Sequence, residues 1–293
     1  MNYPIRKLAK KEFPPALLQI PQPPKVLYAQ GELPDWKTNI FLSVVGSRKY
    51  SAYGRETCET LIDGLRGFSI VIVSGLAIGV DTLAHQSALR AGLTTLAIPG
   101  SGLDRKVLYP RCNHHLADKI LEAGGCLLSE YDPLTTANTY TFPTRNRLMA
   151  GMAKAVLVIE AGAKSGTLIT SRLATEYNRD VLAVPGSIFS PNSYGPNWLI
   201  RLGATPVTTS EDILDALGFD LGASLPSDKQ EQLWADLSPE EKKVVDLLQI
   251  ELLSKDELIL RLGLKVSEVN SLLMIMEIKG LIKESGGEII LKR

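Results

Sequence analysis

Phe142-Pro143-Thr144-Arg145-Asn146-Arg147, a helical run to Ala153, the apolar run Ala155-Val156-Leu157-Val158-Ile159, then Glu160-Ala161-Gly162-Ala163-Lys164-Ser165-Gly166-Thr167 and a second helical run: the reading of this stretch decides the fold. A short apolar run bounded by a glycine-bearing loop and a helix reads as a buried parallel strand. The loop Glu160–Thr167 then lies at the carboxyl end of that strand, the edge where open α/β sheets bind ligands. Gly162 and Gly166 permit close approach of a backbone. Thr167 opens a helix whose free N–H groups favour an anion, and Lys164 adds a full positive charge beside it. Taken alone, the loop reads as an ordinary strand-to-helix turn with a surface lysine. The paired arginines Arg145 and Arg147 on the preceding segment turn the reading toward phosphate.

Working outward, Phe41–Gly46 is a buried strand that ends in Gly46-Ser47-Arg48 and leads to a helix from about Ser51 to Arg66. Ser47 and Arg48 point from the ligand edge of the sheet, or Arg48 joins a surface ion pair. Ile70–Val73 runs into Ser74-Gly75-Leu76-Ala77-Ile78-Gly79-Val80-Asp81 and a helix to about Ala91. The glycines are spaced Gly-x-x-x-Gly, and no acidic residue closes a second strand where the dinucleotide fingerprint needs one, so no NAD or other cofactor is inferred. Asp81 caps the helix start or ligates its loop. Thr94–Ile98, Cys126–Ser129, Val181–Val184 and the edge segment Thr205–Val207 complete the strands. Strands and helices alternate from residue 41 to 217, which predicts an α/β fold: a doubly wound, mostly parallel sheet whose crossovers set every strand end on one side. Gly46, Gly75, Gly100, Gly162 and Gly186 each follow a strand, and Arg48, Arg111, Arg145 and Lys164 fall in or beside these loops. A cationic groove lined by backbone amides suits a chain of phosphates better than one small molecule.

The balance of 32 Lys and Arg against 32 Asp and Glu excludes a protein coated in basic charge, so a polyanion must be held by a local patch. Cysteines at 58, 112 and 126 form no paired spacing, which fits a reducing cytoplasm rather than a disulfide framework. Cys112, His114 and His115 lie close together, but no second ligand pair follows, so no metal site is expected. The proline-broken start has no apolar core of a signal peptide, and no run is long enough to cross a bilayer. Residues 1–37 read as an irregular lead-in packed on the main domain, with Tyr28 and Trp36 as anchors and Lys7, Lys10 and Lys11 as a solvated face.

Residues 218–236 read as a linker, and the pattern changes after it. Ser238-Pro239-Glu240-Glu241 and Ser254-Lys255-Asp256-Glu257 are capping boxes. A third helix from about Ser267 to Lys279 places Val269, Leu272, Leu273 and Met276 at core spacing. Leu281–Glu284 and Glu288–Leu291 flank Ser285-Gly286-Gly287 as a hairpin. Three helices and a hairpin over 237–293 make a winged helix. Glu268 and Glu277 on its third helix repel phosphate, which favours a protein-contact or regulatory role over duplex DNA. Met274, Ile275 and Ile278 lie off the core stripe as a candidate partner surface.

Gly46-Ser47-Arg48, Ser51-x-Tyr53-Gly54, Ser74-Gly75-Leu76-Ala77, Gly79-Val80-Asp81 and Ala84-His85 appear in that order. Gly100-Ser101-Gly102-Leu103-Asp104, Tyr109-Pro110, Ser129-Glu130, Phe142-Pro143 and Arg145-Asn146-Arg147 follow, then Ser165 to Thr170, Pro185-Gly186 and Gly203-Ala204. These pieces resemble the DNA processing protein A family (DprA, also called Smf) over about residues 24–217, and the winged helix fits too. The resemblance implies an extended Rossmann domain over 38–217 that binds single-stranded DNA without sequence preference. It further implies a homodimer that protects incoming strands and loads the RecA recombinase in natural transformation. On that basis Gly46, Ser47 and Arg48 are phosphate contacts of the first loop, Arg111 is a further backbone contact, and Arg145 and Asn146 belong to the Arg-Asn-Arg motif. Lys164, Ser165, Gly166 and Thr167 form a second phosphate cradle, and Phe142 stacks on a base or packs internally. The chain departs from the family at Ile78, where arginine is common, and in a longer loop from Asp104 to Tyr109. No helical domain is expected ahead of the Rossmann part.

The alternative is an enzyme. The loop 162–170 partly echoes the Pro-Gly-Gly-x-Gly-Thr-x-x-Glu motif of nucleotide phosphoribohydrolases, but Thr170 stands where the glutamate would be. No catalytic set is expected, and Glu130 and Glu160 near strand ends fit capping or ion-pair roles better.

Overall fold

Runs such as Ile70–Ser74 and Ala155–Val158 are buried at every position, so each must be covered on both faces, and the chain meets that demand with a sheet between helical layers. The structure, a computed structural model, describes residues 3–219 and 237–291 apart from Leu252 and Gly286. The chain divides into two units, 1–220 and 221–293.

In the first unit the strands are β1 (Arg6–Lys7), β2 (Tyr28–Gly31), β3 (Ile40–Val45), β4 (Ile70–Ser74), β5 (Thr95–Ala97), β6 (Cys126–Ser129), β7 (Ala155–Val158), β8 (Asp180–Ala183) and β9 (Thr205–Pro206). They form one sheet in the order β1-β2-β6-β5-β4-β3-β7-β8-β9. From β6 to β9 every neighbouring pair is parallel. The parallel part starts at β3, builds outward through β4, β5 and β6, then returns to lay β7 on the other side of β3. Loops leaving β3 and β7 therefore diverge, and a crevice opens between them at the carboxyl edge. The helices are α1 (Ala52–Asp63), α2 (Val80–Arg90), α3 (His114–Glu122), α4 (Thr141–Met152), α5 (Thr167–Glu176), α6 (Tyr194–Arg201) and α7 (Ser210–Ala216).

Two expectations are revised. The lead-in is not an irregular surface layer: β1 pairs antiparallel with β2, and β2 with β6, so the lead-in extends the sheet. Leu8, Phe13, Leu17, Ile20 and Leu27 enter the same core as the strands. Trp36 does anchor it, with its ring 5.3 Å from that of Phe41 and its indole N–H donated to the Glu12 carbonyl at 3.0 Å. Second, Phe142–Arg147 does not precede a helix. It forms the first turns of α4, where Pro143 costs little because a first-turn N–H has no intrahelical partner.

The second unit has α8 (Pro239–Ile250), α9 (Lys255–Leu262), α10 (Val266–Ile278) and a three-stranded sheet of β10 (Leu253–Ser254), β12 (Glu288–Leu291) and β11 (Ile282–Ser285) in that order. Both capping boxes form, Ser238 with Glu241 and Ser254 with Glu257. Val244, Leu258, Val269, Leu273 and Met276 close its core, while Met274, Ile275 and Ile278 stay exposed. This is a winged helix. Residues 220–236, most of the expected linker, lie outside the described residues.

Candidate functional site

A cleft of 610 Å³ opens between the loops after β3 and β7. Gly46, Ser47, Arg48, Phe142, Arg145, Asn146, Lys164, Ser165, Gly166 and Thr167 all line it. Arg111 does not. It is exposed in a single 3-10 turn, Arg111–Asn113, tied to the loop after β4 by the Asn113 amide, which donates to the Leu76 carbonyl at 2.8 Å.

The first loop is shaped by its own hydrogen bonds. The Ser47 N–H donates to the Glu160 carbonyl at 2.7 Å, linking the β3 and β7 loops, and the Val80 N–H donates to the Ser47 carbonyl at 3.0 Å. The Ser47 hydroxyl accepts from the Lys49 N–H and donates to the Lys49 carbonyl, so it curls the chain and leaves the Arg48 side chain outside. This path needs glycine at 79, where φ is +93° and a Cβ would sit 2.3 Å from the Ser47 carbonyl oxygen. Exposed Arg48 lays its guanidinium 5.3 Å over the Phe142 ring. Phe142 also meets Tyr109 edge-on at 5.7 Å. It is thus half-buried, with packing partners on the wall and the rest of the ring in the cleft.

Arg145 sits elsewhere than expected for a direct phosphate contact. It is only 5% exposed. Its Nη1 donates to the Gly75 carbonyl at 2.6 Å and to the Ile98 carbonyl, and its Nε to the Asn146 side chain at 3.2 Å. Burial lowers its pKa, and the Asp81 carboxylate opposes that. Asp81 accepts from the Gly75 and Ala77 N–H groups at 3.1 and 3.3 Å, so it ligates its loop rather than capping α2. Burial pushes the Asp81 carboxyl up, and Arg145 is the strongest influence holding it down. Arg145 and Asp81 together brace the loops after β4 and β5 from beneath. Arg147 leaves the cleft entirely: it pairs with Glu130 and donates to the Gln22 carbonyl at 2.8 Å. Helical residues two apart face different directions, which separates the two arginines.

In the second loop the Ser165 hydroxyl donates to Thr167 Oγ1 at 2.9 Å and accepts from the Thr167 N–H at 3.2 Å. The Leu168 and Ile169 N–H groups also fold back onto this loop, so the start of α5 is less bare than the sequence suggested. Lys164 is exposed. Gly166 has ordinary helical φ of −59°, and a Cβ there would meet nothing within 4 Å. Internal structure therefore gives no reason for glycine at 166.

Both candidate carboxylates are engaged. Glu160, 1% exposed, accepts from the Ser51 N–H at 2.9 Å, the Ser51 hydroxyl at 2.5 Å and the Asn192 amide at 3.3 Å, and so holds the start of α1. Burial raises the Glu130 carboxyl's pKa, and Arg147 pulls it back. Among the charged and amide-bearing residues of the cleft wall, Lys49, Asn192 and Asp81 went unrecognised. Lys49 was signalled only by standing next to Arg48. Asn192 arrives from the distant loop after β8, donating to the Lys49 carbonyl at 2.9 Å, and nothing local announces it. Ile78, 47% exposed, puts an apolar side chain where a cation was expected from the family.

A doubly wound sheet with a cation-lined cleft at its switch point, followed by a winged helix, defines an extended Rossmann protein with a C-terminal winged-helix domain. Residues 5–218 match the family model described as DNA recombination-mediator protein A, and residues 228–288 match the DprA winged helix domain. The chain belongs to the DNA recombination-mediator protein A family. Protein Smf of Escherichia coli is 40% identical over 293 residues, covering 96% of this chain and 75% of the relative. The X-ray structure of DNA processing protein A from Streptococcus pneumoniae matches with TM-score 0.67 and 40% identity, over 73% of this chain and 74% of that one. The Helicobacter pylori DNA processing protein A, whose structure is described for a unique single-stranded DNA binding mode, matches with TM-score 0.66 and 29% identity, over 74% of this chain and 96% of that one.

Proposed function

We propose that the cleft holds single-stranded DNA by its phosphates, without reading sequence, and that the protein shields such strands and hands them to RecA in recombination or natural transformation. The observation that carries this reading is the meeting of exposed Arg48, Lys49 and Lys164 at one cleft of a chain with no net charge. Phosphate contacts give affinity that falls steeply with salt, and single-strand grooves add aromatic faces such as Phe142. The Helicobacter pylori relative's single-strand mode supports the same reading. The working form is a cytoplasmic homodimer. An apolar groove walled by Leu168, Leu173, Trp198 and Leu202 beside the edge strand β9 supports self-association, and sedimentation velocity measures it. The reading is non-enzymatic. Glu130 and Glu160 are committed to Arg147 and Ser51, so incubation with AMP yields no free adenine.

A mobility shift comparing single with double strands, followed by RecA loading on SSB-coated DNA, tests the proposal. Equal affinity for both forms, or no effect on RecA loading, overturns it. Gly166→Ala gives a sharper test of the second loop. Alanine adopts this backbone freely and narrows the unfolded ensemble, so the variant melts at or slightly above the wild-type temperature, a gain of roughly 0.4–1 kcal/mol. Its single-strand affinity falls, because the added methyl stands where the phosphate approaches. Wild-type affinity in this variant removes the loop from the site.

A further inference from the structure

Phe189 and Ile188 are 90% and 83% exposed, more than any other large hydrophobic side chain among the described residues. They sit at the tip of the loop after β8, and this loop is built rather than slack. The Tyr53 hydroxyl donates to the Pro185 carbonyl at 2.6 Å, and the Asn197 side chain bonds both the N–H and the carbonyl of Gly186. The Ser187 hydroxyl accepts from the Phe189 N–H at 3.3 Å, and the Ser190 N–H donates to the Ser187 carbonyl at 3.0 Å. At its far end Asn192 joins the cleft wall through Lys49 and Glu160. A firmly held turn thus presents an aromatic ring to solvent beside a cationic cleft.

The sheet order places this ring at one end of a line. The Phe142 ring lies against Gly100 in the loop after β5, Arg48 follows β3, Lys164 follows β7 and Phe189 follows β8. The strands β5-β4-β3-β7-β8 are consecutive neighbours. Four strand spacings amount to about 19 Å. Phe142, with Arg48 stacked on it, lies toward one side of that row, Lys164 follows and Phe189 comes last, the pairing of charged groove and stacking faces that single strands require.

We infer that Phe189 is a base-stacking residue that receives a nucleotide at the end of the cleft opposite Phe142, which makes the site an oligonucleotide track rather than a mononucleotide pocket. This rests on the single-strand reading of the cleft. Ile188 widens the apolar face offered to the base.

The test is anisotropy titration of the full chain with labelled oligothymidylates of about 4 and about 16 nucleotides. Phe189→Ala lowers affinity for the longer strand by about fivefold or more, and for the shorter one less. The salt slope stays at its wild-type value because no phosphate contact is lost. Phe189→Trp restores affinity, and its added fluorescence is quenched when the strand binds. Wild-type affinity of Phe189→Ala for the longer strand, alongside weakened binding by Arg48→Ala, overturns this inference alone. Loss of affinity together with a fall in sedimenting mass also overturns it, since the ring then meets a second copy of the chain. Failure of the wild-type protein to bind any single strand overturns the cleft reading and this inference together.

Discussion

Replacing Arg48 and Lys164 together by alanine lowers affinity for every single strand by about a hundredfold or more and leaves the melting temperature nearly unchanged. Charge-assisted hydrogen bonds contribute about 1.5–3 kcal/mol each, and the two residues stand on separate loops across the cleft, so their losses add. Both side chains are exposed, and among the described contacts of Arg48 only its stack on Phe142 is lost, worth about 0.5–1 kcal/mol at such a site. The slope of log affinity against log salt flattens by about 1.4, since each lost contact on a single strand removes roughly 0.7. Thymidylate, adenylate and mixed strands weaken alike, because phosphates carry no sequence. Anisotropy titrations at three or more salt concentrations read both quantities. An unchanged affinity would remove these residues from the site, and a loss confined to one base composition would mean that bases, not phosphates, are being gripped.

That double variant draws on the part of the site that was readable in the sequence. Arg48 and Lys164 follow glycine-marked strand ends, and a parallel sheet sends all such ends to one rim, so their convergence follows from topology alone. The same logic placed Gly46, Ser47 and the Ser165–Thr167 turn. The winged helix was equally plain because Ser238 and Ser254 begin capping boxes, whose signal is local. What stayed hidden depended on longer-range facts. β1 and β2 are short strands whose pairing, β1 on β2 and β2 on β6, is set by the tertiary fold, not by their own pattern. Pro143 looks like a boundary unless it is known to occupy a first helical turn. Once Phe142–Arg147 is helical, Arg145 and Arg147 must face different neighbours, and neither is left free in the cleft. Arg145 finds two carbonyls and Asp81, and Arg147 finds Glu130. Two arginines that seemed to announce phosphate are consumed by the scaffold, and the cleft's exposed cations are Arg48, Lys49 and Lys164.

Arg145 therefore yields the second large effect, on stability. Arg145→Ala leaves the Gly75 and Ile98 carbonyls without this donor and Asp81 buried without its nearest positive charge, a loss of about 3 kcal/mol or more. That is a large share of the roughly 5–15 kcal/mol that holds a domain folded. The loss depends on pH, with a definite sign. Burial raises the folded-state pKa of Asp81, so the native protein keeps this proton to higher pH than the unfolded chain does. Such a group contributes stability below its unfolded pKa and loses it as pH rises through the folded one. Arg145 restrains that rise, and without it the folded pKa climbs further. The gap in melting temperature between wild type and Arg145→Ala accordingly widens from about pH 4 toward neutrality. Adding Asp81→Asn removes the titrating group, so the gap between Asp81→Asn and the double variant stays nearly constant over the same range. Thermal melts of the four proteins across pH measure this directly. Should Arg145→Ala melt like wild type yet lose single-strand affinity, its guanidinium would be a phosphate contact after all, and the bracing role assigned to it here would be wrong.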